Sequence, residues 1–417
     1  MPLDLEEIKL SDKDDITSDH VKAWDEQYVM HTYARQPVIF TRGFGARLWD
    51  IEGKEYLDFL AGIAVDSLGH CHPNVVRAVQ DQAATLIHTS NLYFTVPQAR
   101  LAKKLCEISG QEKVFFCNSG AEANEAALKI ARKHGKRAGD QKFKIITATG
   151  SFHGRTMGTV TATAQPKYQD PFRPLVPGFE YVQFNDIDAL TKAVDDETCA
   201  VMLEPIQGET GINVATPAFL QAARDLCDRH GALLIFDEVQ TGVGRTGKWW
   251  AHETYGVKPD IMTLAKGLGG GLPIGVCLSH GDAASTLVPG DHGSTFAANP
   301  LATSAALAVL ETIEQDGLKD NAHRVGEYFM ERLRSAPFAG AISEVRGRGL
   351  MIGAQLNEPM AKKIVAESLN LGLVINGIGD HILRFLPPLI INDQDADEAV
   401  DLLGQALSKA LDEGGKT

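Results

Sequence analysis

The chain of 417 residues lacks several features that would assign it to a class at once. Its six cysteines include no CxxC pair, so the sequence predicts reduced thiols rather than a disulfide framework or a zinc site. No apolar run approaches the ~18 residues that a membrane-spanning helix needs, and the acidic start has no apolar signal core. The formal net charge of −14 argues against nucleic acids and anionic membranes as partners, because both require a basic surface. These absences favour a cytoplasmic location.

Nucleotide-binding and metal-binding signatures are also missing. No GxGxxG motif follows the first strand, which excludes a NAD-binding Rossmann protein, and no GxxxxGK[ST] loop is present. The stretch "GHCHP" has no second cluster of ligands elsewhere in the chain, so it predicts a turn before a helix and no metal site.

The hydropathy pattern predicts an α/β fold with a large domain and a smaller one. Residues 1–27 are expected to form a flexible acidic arm, 28–75 the N-terminal part of the small domain, 76–310 the large domain and 311–417 the C-terminal part of the small domain. "ARLWDIEGKEYLDFLAG" predicts a hairpin and "HPNVVRAVQDQAATLIH" a helix. In the large domain, apolar runs such as "CAVMLEPIQG", "ALLIFDEVQ" and "IGVCLS" alternate with helical segments, which predicts a mostly parallel sheet. The strands "GLMIGAQL" and "HILRFLPPLII", with the helix "PMAKKIVAESLNLG", predict a smaller α+β domain formed by both termini.

Five of the apolar runs end in residues that can carry chemistry. Ligands of open parallel sheets bind at the carboxyl ends of the strands, so we expect one shared pocket there. The run ends are Ser119-Gly120, Phe152 with Arg155, Glu204, Asp237 and Lys266.

Asp237 and Lys266 predict a pyridoxal 5'-phosphate (PLP) site. A carboxylate after four apolar residues needs a cationic or donor partner. The ring nitrogen of PLP is such a partner, because the carboxylate keeps it protonated and makes the ring an electron sink. Lys266 can form a Schiff base with the cofactor aldehyde. The alternatives are a helix cap for Asp237 and a lysine that extends into solvent for Lys266.

The stretch "NSGAEANEAALKIARK" opens a helix whose N-terminal N–H groups can bind an anion such as a phosphate. The alternative is a plain capping box formed by Ser119 and Glu122. Phe152 can stack on a cofactor ring or pack in the core, and His153 is expected to pack or to form hydrogen bonds rather than to catalyse.

From Tyr28 to Ile391 the sequence resembles the class III (ω-) aminotransferases, which are PLP enzymes of fold type I. The resemblance is carried by "NSGAEANEAALKIAR", "SFHGRT", "EPIQGETG", "IFDEVQTGVGRTG", "TLAKGLGGGLPIG", "HGSTFAANPLA" and "LRFLPPLII". It implies that Lys266 is the Schiff-base lysine and that Asp237 contacts the ring nitrogen.

The resemblance also implies the other cofactor contacts. Gly120 and Ala121 would hold the phosphate, Phe152 would stack on the ring, Gln240 would contact the phenolic oxygen, and Glu238 and Val239 would lie beside it. Thr295 would reach the phosphate of a neighbouring subunit, which implies a homodimer with shared active sites.

The substrate contacts implied by the resemblance are Tyr33, Arg155, Glu209, Ser294 and Arg384. Arg155 would bind the distal carboxylate with Ser294 nearby, and Tyr33 would line the pocket. Glu209 would pair with Arg384 until glutamate arrives. Arg35 stands where a neutral residue is expected.

The implied reaction transfers the terminal amine of N-acetylornithine to 2-oxoglutarate, a step of arginine biosynthesis. Ornithine, succinylornithine, succinyldiaminopimelate and 4-aminobutyrate remain alternative donors. A PLP aminomutase such as glutamate-semialdehyde aminomutase, which needs no 2-oxoglutarate, is an alternative of another class. A binding module without catalysis would have no use for Lys266 and Asp237 together.

Overall fold

The computed structural model describes residues 16–414 of the chain. The strands, in chain order, are β1 (Phe40–Phe44), β2 (Arg47–Asp50), β3 (Glu55–Asp58), β4 (Lys113–Cys117), β5 (Lys144–Ala148), β6 (Phe179–Val182), β7 (Thr198–Leu203), β8 (Ile206–Gln207), β9 (Asn213–Val214), β10 (Leu233–Asp237), β11 (Ile261–Leu264), β12 (Gly275–Ser279), β13 (Ile342–Arg348), β14 (Met351–Leu356), β15 (Leu373–Val374), β16 (Asn376–Ile378) and β17 (Ile382–Phe385).

The α-helices are α1 (Ser18–Tyr28), α2 (Ala61–Ala64), α3 (Pro73–Thr85), α4 (Val96–Ser109), α5 (Gly120–Gly135), α6 (Met157–Ala162), α7 (Pro166–Gln169), α8 (Ile187–Ala193), α9 (Pro217–His230), α10 (Gly281–Ala284), α11 (Pro300–Gln315), α12 (Leu318–Ser335), α13 (Ala361–Leu371) and α14 (Asp393–Gly414). Between residues 16 and 414, none of them combines the length and apolar character needed to cross a bilayer.

A seven-stranded sheet in the order β4-β12-β11-β10-β7-β5-β6 forms the centre of the large domain. The strands from β11 to β6 are all parallel to one another, whereas β12 is antiparallel to both of its neighbours. The prediction that "IGVCLS" forms a parallel strand is therefore wrong. The connection through residues 265–274 contains no α-helix, and a parallel crossover needs a longer connection.

Both faces of this sheet are buried, which explains why its strands read as continuous apolar runs. On β10, Leu234 and Phe236 pack in a cluster with residues of α9. Leu233 and Ile235 point to the other face and pack with residues of α5. Asp237 follows the same alternation and lies on the α5 side.

The N- and C-terminal segments of the chain pack together, as predicted. The predicted hairpin forms from β2 and β3, and β15 near the C-terminus pairs in parallel with β3 through Leu57 and Leu373. A second small sheet has the order β13-β14-β17-β16. The smaller α+β domain is thus built from both termini, while the boundaries 28–75, 76–310 and 311–417 stay predictions.

Two local predictions and one alternative differ from the structure. The acidic arm contains the helix Ser18–Tyr28, and residues 1–15 lie outside the described residues. The strand predicted in "HILRFLPPLII" ends at Phe385, because Pro387 and Pro388 cannot donate to a sheet. Residues 238–250 form turns rather than a helix, so Asp237 is not a helix cap.

Candidate active site

A cavity of about 400 Å³ lies at the carboxyl ends of the parallel strands, within the usual range for small-molecule sites. It is lined by residues that follow β4, β5, β7, β10 and β11, so the expected shared pocket is confirmed. The predicted residues in its wall are Gly120, Ala121, Phe152, Arg155, Glu204, Glu209, Asp237, Val239, Gln240 and Lys266.

Lys266 follows β11 in a left-handed backbone conformation, with φ of +38°. Such a conformation costs a non-glycine residue about 1–3 kcal/mol and is concentrated at functional sites. The side chain lines the cavity. Burial lowers the pKa of its amine, and the positive charge of Arg384 adds to this effect against the opposing charge of Glu209. Lys266 is therefore placed as a nucleophile with an increased neutral fraction.

The carboxylate of Asp237 is held by three hydrogen bonds. Its Oδ2 accepts from Asn124 Nδ2 (2.7 Å) and from His153 Nδ1 (2.8 Å), and its Oδ1 accepts from the backbone N–H of Val239 (3.0 Å). Thr263 in turn donates to Asn124 Oδ1 (2.6 Å). Burial lowers the pKa of His153, but the hydrogen bond and the charge of Asp237 outweigh it and raise the pKa. His153 thus forms hydrogen bonds, as expected, and orients the carboxylate.

Glu204 connects two parts of the cavity wall. Its Oε2 accepts from the backbone N–H of Phe152 (3.0 Å), and its Oε1 accepts from that of Gly208 (3.3 Å). Burial raises the pKa of Glu204 to about 7, with the charge of Asp237 acting in the same direction and that of His153 opposing it. Glu204 therefore links the aromatic residue of the wall to the loop that carries Glu209.

Glu209 and Arg384 form an ion pair, Nη1 to Oε1, of 2.6 Å. Arg384 is 1% exposed. Glu209 Oε1 also accepts from Gln240 Nε2 (3.1 Å). Burial opposes ionisation of Glu209, but the charges of Arg384 and Lys266 outweigh it and lower its pKa to about 2. Glu209 is therefore ionised at neutral pH.

The N-terminus of α5 is both capped and open to the cavity. Ser119 Oγ accepts from the backbone N–H of Glu122 (3.2 Å), which confirms the local cap. The N–H groups of Gly120 and Ala121 have no hydrogen-bond partner within residues 16–414, and both residues line the cavity. Because these are the first turns of a helix of 16 residues, they provide an anion site beside the cap.

Arg155 lies in the cavity wall without a carboxylate partner among residues 16–414. Its guanidinium carbon is 3.9 Å from the centroid of the Tyr168 ring and 5.5 Å from that of Phe152. The two rings contact each other edge to face at 5.9 Å. Arg155 is thus placed by aromatic contacts that leave its charge available to an anion.

Five predicted residues do not line the cavity, and one of them, Arg384, contacts a wall residue through its ion pair with Glu209. The carboxylate of Glu238 accepts from the backbone N–H groups of Ala251 and His252, so its side chain points elsewhere, contrary to the prediction. Ser294 is separated from the cavity by Asn118, which lines the cavity and donates from its Nδ2 to Ser294 Oγ (2.8 Å). The remaining two, Tyr33 and Thr295, are exposed.

Two residues of the site were not assigned from the sequence: Asn124, which lines the cavity, and Tyr168, which contacts Arg155. Asn124 lies one helical turn after Gly120 on α5 and donates a hydrogen bond to Asp237. Its spacing in "GAEANEAA" is compatible with this contact but does not predict it. Tyr168, in "QPKYQ", belongs to no periodic pattern. The sequence contains no signal that could have placed it against Arg155.

The cavity fits PLP on observations of the structure itself. A buried Oε1 of Gln240 has no hydrogen-bond partner within the described residues, and the open N–H groups of α5 suit a phosphate. Asp237 and Lys266 lie at the ends of adjacent strands, β10 and β11. This fold and this site define a PLP-dependent transferase of fold type I.

Comparison of the sequence with known proteins narrows this class to one family. Residues 28–407 match the family described as Aminotransferase class-III, and the chain belongs to this family. It is 52% identical over 388 residues to the acetylornithine aminotransferase of Caldanaerobacter subterraneus subsp. tengcongensis, covering 93% of this chain and 98% of the relative. It is also 52% identical over 387 residues to the enzyme of the same name from Methanocaldococcus jannaschii, covering 92% and 97%.

Solved structures agree with this assignment. The ornithine aminotransferase of Toxoplasma gondii, crystallised with partial occupancy of PLP at its active site, superposes with a TM-score of 0.91 at 36% identity, covering 96% of each chain. The N-acetylornithine aminotransferase of Stenotrophomonas maltophilia has a TM-score of 0.80 at 40% identity, covering 92% of this chain and 98% of that one. The chain is therefore a PLP-dependent aminotransferase.

Proposed function

We propose that the protein transfers the terminal amine of N-acetylornithine to 2-oxoglutarate, giving N-acetylglutamate semialdehyde and glutamate in arginine biosynthesis. The relatives at 52% identity carry the name of this activity. The observation that carries the proposal is the ion pair between the buried Arg384 and Glu209, which lines the cavity together with Lys266.

Different residues of the cavity wall would act on the cofactor and on the substrate. PLP, when bound, supplies an electron sink for the carbanion that forms when the substrate loses a proton. Asp237, oriented by Asn124 and His153, would keep a proton on the ring nitrogen. Lys266 Nζ would carry a proton to and from the substrate, and burial, which lowers the pKa of its amine, increases the fraction that can accept a proton.

The two substrates differ in where they carry negative charge. N-acetylornithine reacts at its terminal amine, so its carboxylate lies far from the reacting carbon, where Arg155 would bind it. Glutamate reacts at its α-amine and brings a second carboxylate close to the reacting carbon. Arg384 is the arginine that would bind this second carboxylate.

Glu209 would let one cavity accept both substrates. With N-acetylornithine bound, Arg384 would face an apolar chain, and an unpaired buried charge is costly. The 2.6 Å pair with Glu209 removes that cost. When glutamate arrives, its carboxylate would replace the carboxylate of Glu209, which turns away.

A panel of amine donors assayed with 2-oxoglutarate tests the proposed activity. We expect the highest kcat/KM with N-acetylornithine, compared with ornithine, succinylornithine, succinyldiaminopimelate and 4-aminobutyrate. Preference for any of these would replace the proposed donor. Conversion of glutamate semialdehyde without 2-oxoglutarate would show an aminomutase instead.

We also propose that two copies of the chain share their active sites. The exposed side chains of Leu92 and Phe94 are apolar, and their segment contacts the loop of Phe296 through a hydrogen bond from Asn91 Nδ2 to the carbonyl oxygen of Ala297 (2.9 Å). Phe296 is exposed as well, and exposed apolar side chains on neighbouring segments are typical of a protein interface. Thr295, exposed in the same loop, would then reach the cofactor phosphate of the second copy.

Hybrid dimers test the shared site. Lys266→Ala and Thr295→Ala each inactivate both sites of a dimer, but a mixed dimer would contain one site with both native residues. We expect activity to return on mixing denatured chains and refolding them together. No recovery in a sample shown to be dimeric by sedimentation would refute the sharing.

A cytoplasmic location is part of the proposal. All six thiols are free, and four of them, Cys117, Cys199, Cys227 and Cys277, are buried, whereas Cys71 is exposed. Free thiols are typical of reducing compartments. Fractionation of cells with an antibody to the protein tests this location, and recovery outside the cytoplasmic fraction would contradict it.

A further inference from the structure

Three groups hold Arg384, and only one of them is the carboxylate that is proposed to move. Its Nε donates to Asn376 Oδ1 (2.9 Å), and its Nη1 donates to the carbonyl oxygen of Gly208 (3.0 Å) and to Glu209 Oε1 (2.6 Å). Within residues 16–414, no carboxylate other than that of Glu209 forms an ion pair with Arg384. Once Glu209 turns away, two uncharged acceptors remain.

The position of Asn376 is set by the sheet. β16 and β17 are antiparallel, and their register places Asn376 directly opposite Arg384. Side chains of directly opposed residues lie on the same face of a sheet within contact distance. The contact with Arg384 therefore depends on backbone register rather than on a loop.

The second acceptor is also fixed. The N–H of Gly208 donates to Glu204 Oε1 (3.3 Å), and a side chain at Gly208 would collide with the amide of Gln240. Beyond Glu209, Thr210 Oγ1 donates to the carbonyl oxygen of Gly150 (2.9 Å). The backbone is anchored on both sides of Glu209, so its departure requires rotation of the side chain alone.

We propose that Asn376 is a positioning residue that keeps the guanidinium of Arg384 in place while Glu209 is turned away, ready for the carboxylate next to the reacting carbon of the second substrate. The inference rests on the proposed function, because it requires an ω-amine and an α-amino acid to use the same cavity. An amide oxygen suits this role, since it accepts from Nε without a charge that would compete with the substrate.

Two substitutions separate positioning from charge. Asn376→Ala removes the acceptor and leaves a buried N–H of Arg384 unpaired. Asn376→Asp keeps an acceptor but adds a permanent carboxylate that competes with the substrate for Arg384. Ile378→Val, two residues further along the same strand, is the matched control because Ile378 pairs with Ile382 rather than with Arg384.

Single-turnover rates of the cofactor-loaded enzyme with glutamate and with N-acetylornithine provide the test, together with calorimetric binding of glutarate, which has two carboxylates and no amine. We expect both Asn376 variants to slow the glutamate half-reaction by about 10-fold or more relative to the other half-reaction. The loss should be larger for Asn376→Asp, and glutarate should bind more weakly to both. The control should match the wild type.

Equal effects on the two half-reactions, or unchanged glutarate affinity in both variants, would reduce Asn376 to a structural residue and overturn the inference. If Asn376→Ala does not fold, Asn376→Asp alone decides between these outcomes. A wrong donor assignment is visible separately, in the donor panel of the wild type. The preferred ω-amine from that panel then replaces N-acetylornithine in the comparison with glutamate.

Discussion

Replacing Glu209 with alanine should change which substrate the enzyme favours. The charges of Arg384 and Lys266 lower the pKa of Glu209 to about 2 from the ordinary 4.5, which corresponds to about 3 kcal/mol of favourable interaction with the ionised form. Glutamate must displace this interaction, whereas N-acetylornithine leaves it intact. In Glu209→Ala, the carboxylate of glutamate no longer competes with that of Glu209 for Arg384. When N-acetylornithine binds to this variant, Arg384 has no ion-pair partner.

The expected result is a change in the ratio of the rate constants of the two half-reactions. If about 1.4 kcal/mol of the interaction differs between the two half-reactions, the rate constant with glutamate relative to that with N-acetylornithine rises about 10-fold. The full 3 kcal/mol sets an upper limit of roughly 100-fold. Both rate constants are measured by single turnover, from the change in cofactor absorbance at limiting substrate.

Glu398→Ala is the matched control for this measurement. Glu398 also forms an ion pair with an arginine, Arg47, at 2.7 Å, but away from the cavity. This variant should keep the wild-type ratio even if it loses stability. An unchanged ratio in Glu209→Ala would remove Glu209 from substrate exchange and leave it as a structural partner of Arg384.

Four further outcomes are expected. Borohydride reduction should attach the cofactor to Lys266, and a labelled peptide containing another lysine would refute the assignment. Asp237→Ala should lower kcat at least 10³-fold, about 4 kcal/mol of barrier, and a near-normal kcat would show that the carboxylate does not serve the ring nitrogen. The pKa of Glu204, raised by burial to about 7, means that the folded state binds more protons than the unfolded state between pH 4.5 and 7. The contribution of Glu204 to the free energy of unfolding, from urea titrations, should therefore fall across this window by up to about 3 kcal/mol, and Glu204→Gln should remove this contribution. Tyr168→Leu should raise KM for N-acetylornithine with little change in kcat, since Tyr168 supports Arg155, and an effect on kcat alone would contradict that role.

The sequence predicts the location of the site better than its details. Strand ends such as Glu204, Asp237 and Lys266 could be assigned to one pocket, because apolar runs of a parallel sheet end at a common edge. The antiparallel direction of β12 could not be predicted, since its composition matches that of its parallel neighbours. Periodicity reports burial and not strand direction.

Contacts between distant segments could not be predicted from the sequence, for a different reason. Asn376 and Arg384 meet through strand register, and Tyr168 meets Arg155 through a loop without a periodic pattern. Tyr33 and Thr295 are exposed, and the cavity of the chain gives them no contact. Their roles stay predictions.

The reversal of the chain after β11 has a consequence for how substrate preference can change. Lys266 lies between β11 and β12, two strands that are hydrogen-bonded to each other on either side of the turn. Its backbone cannot shift without breaking central sheet pairing. The groups proposed to distinguish the two substrates lie instead on the loop of Glu209 and on β17, which belongs to another sheet. Variants with new amine preferences should therefore arise from changes in that loop and in β16 and β17, with the reacting lysine and its strand left untouched.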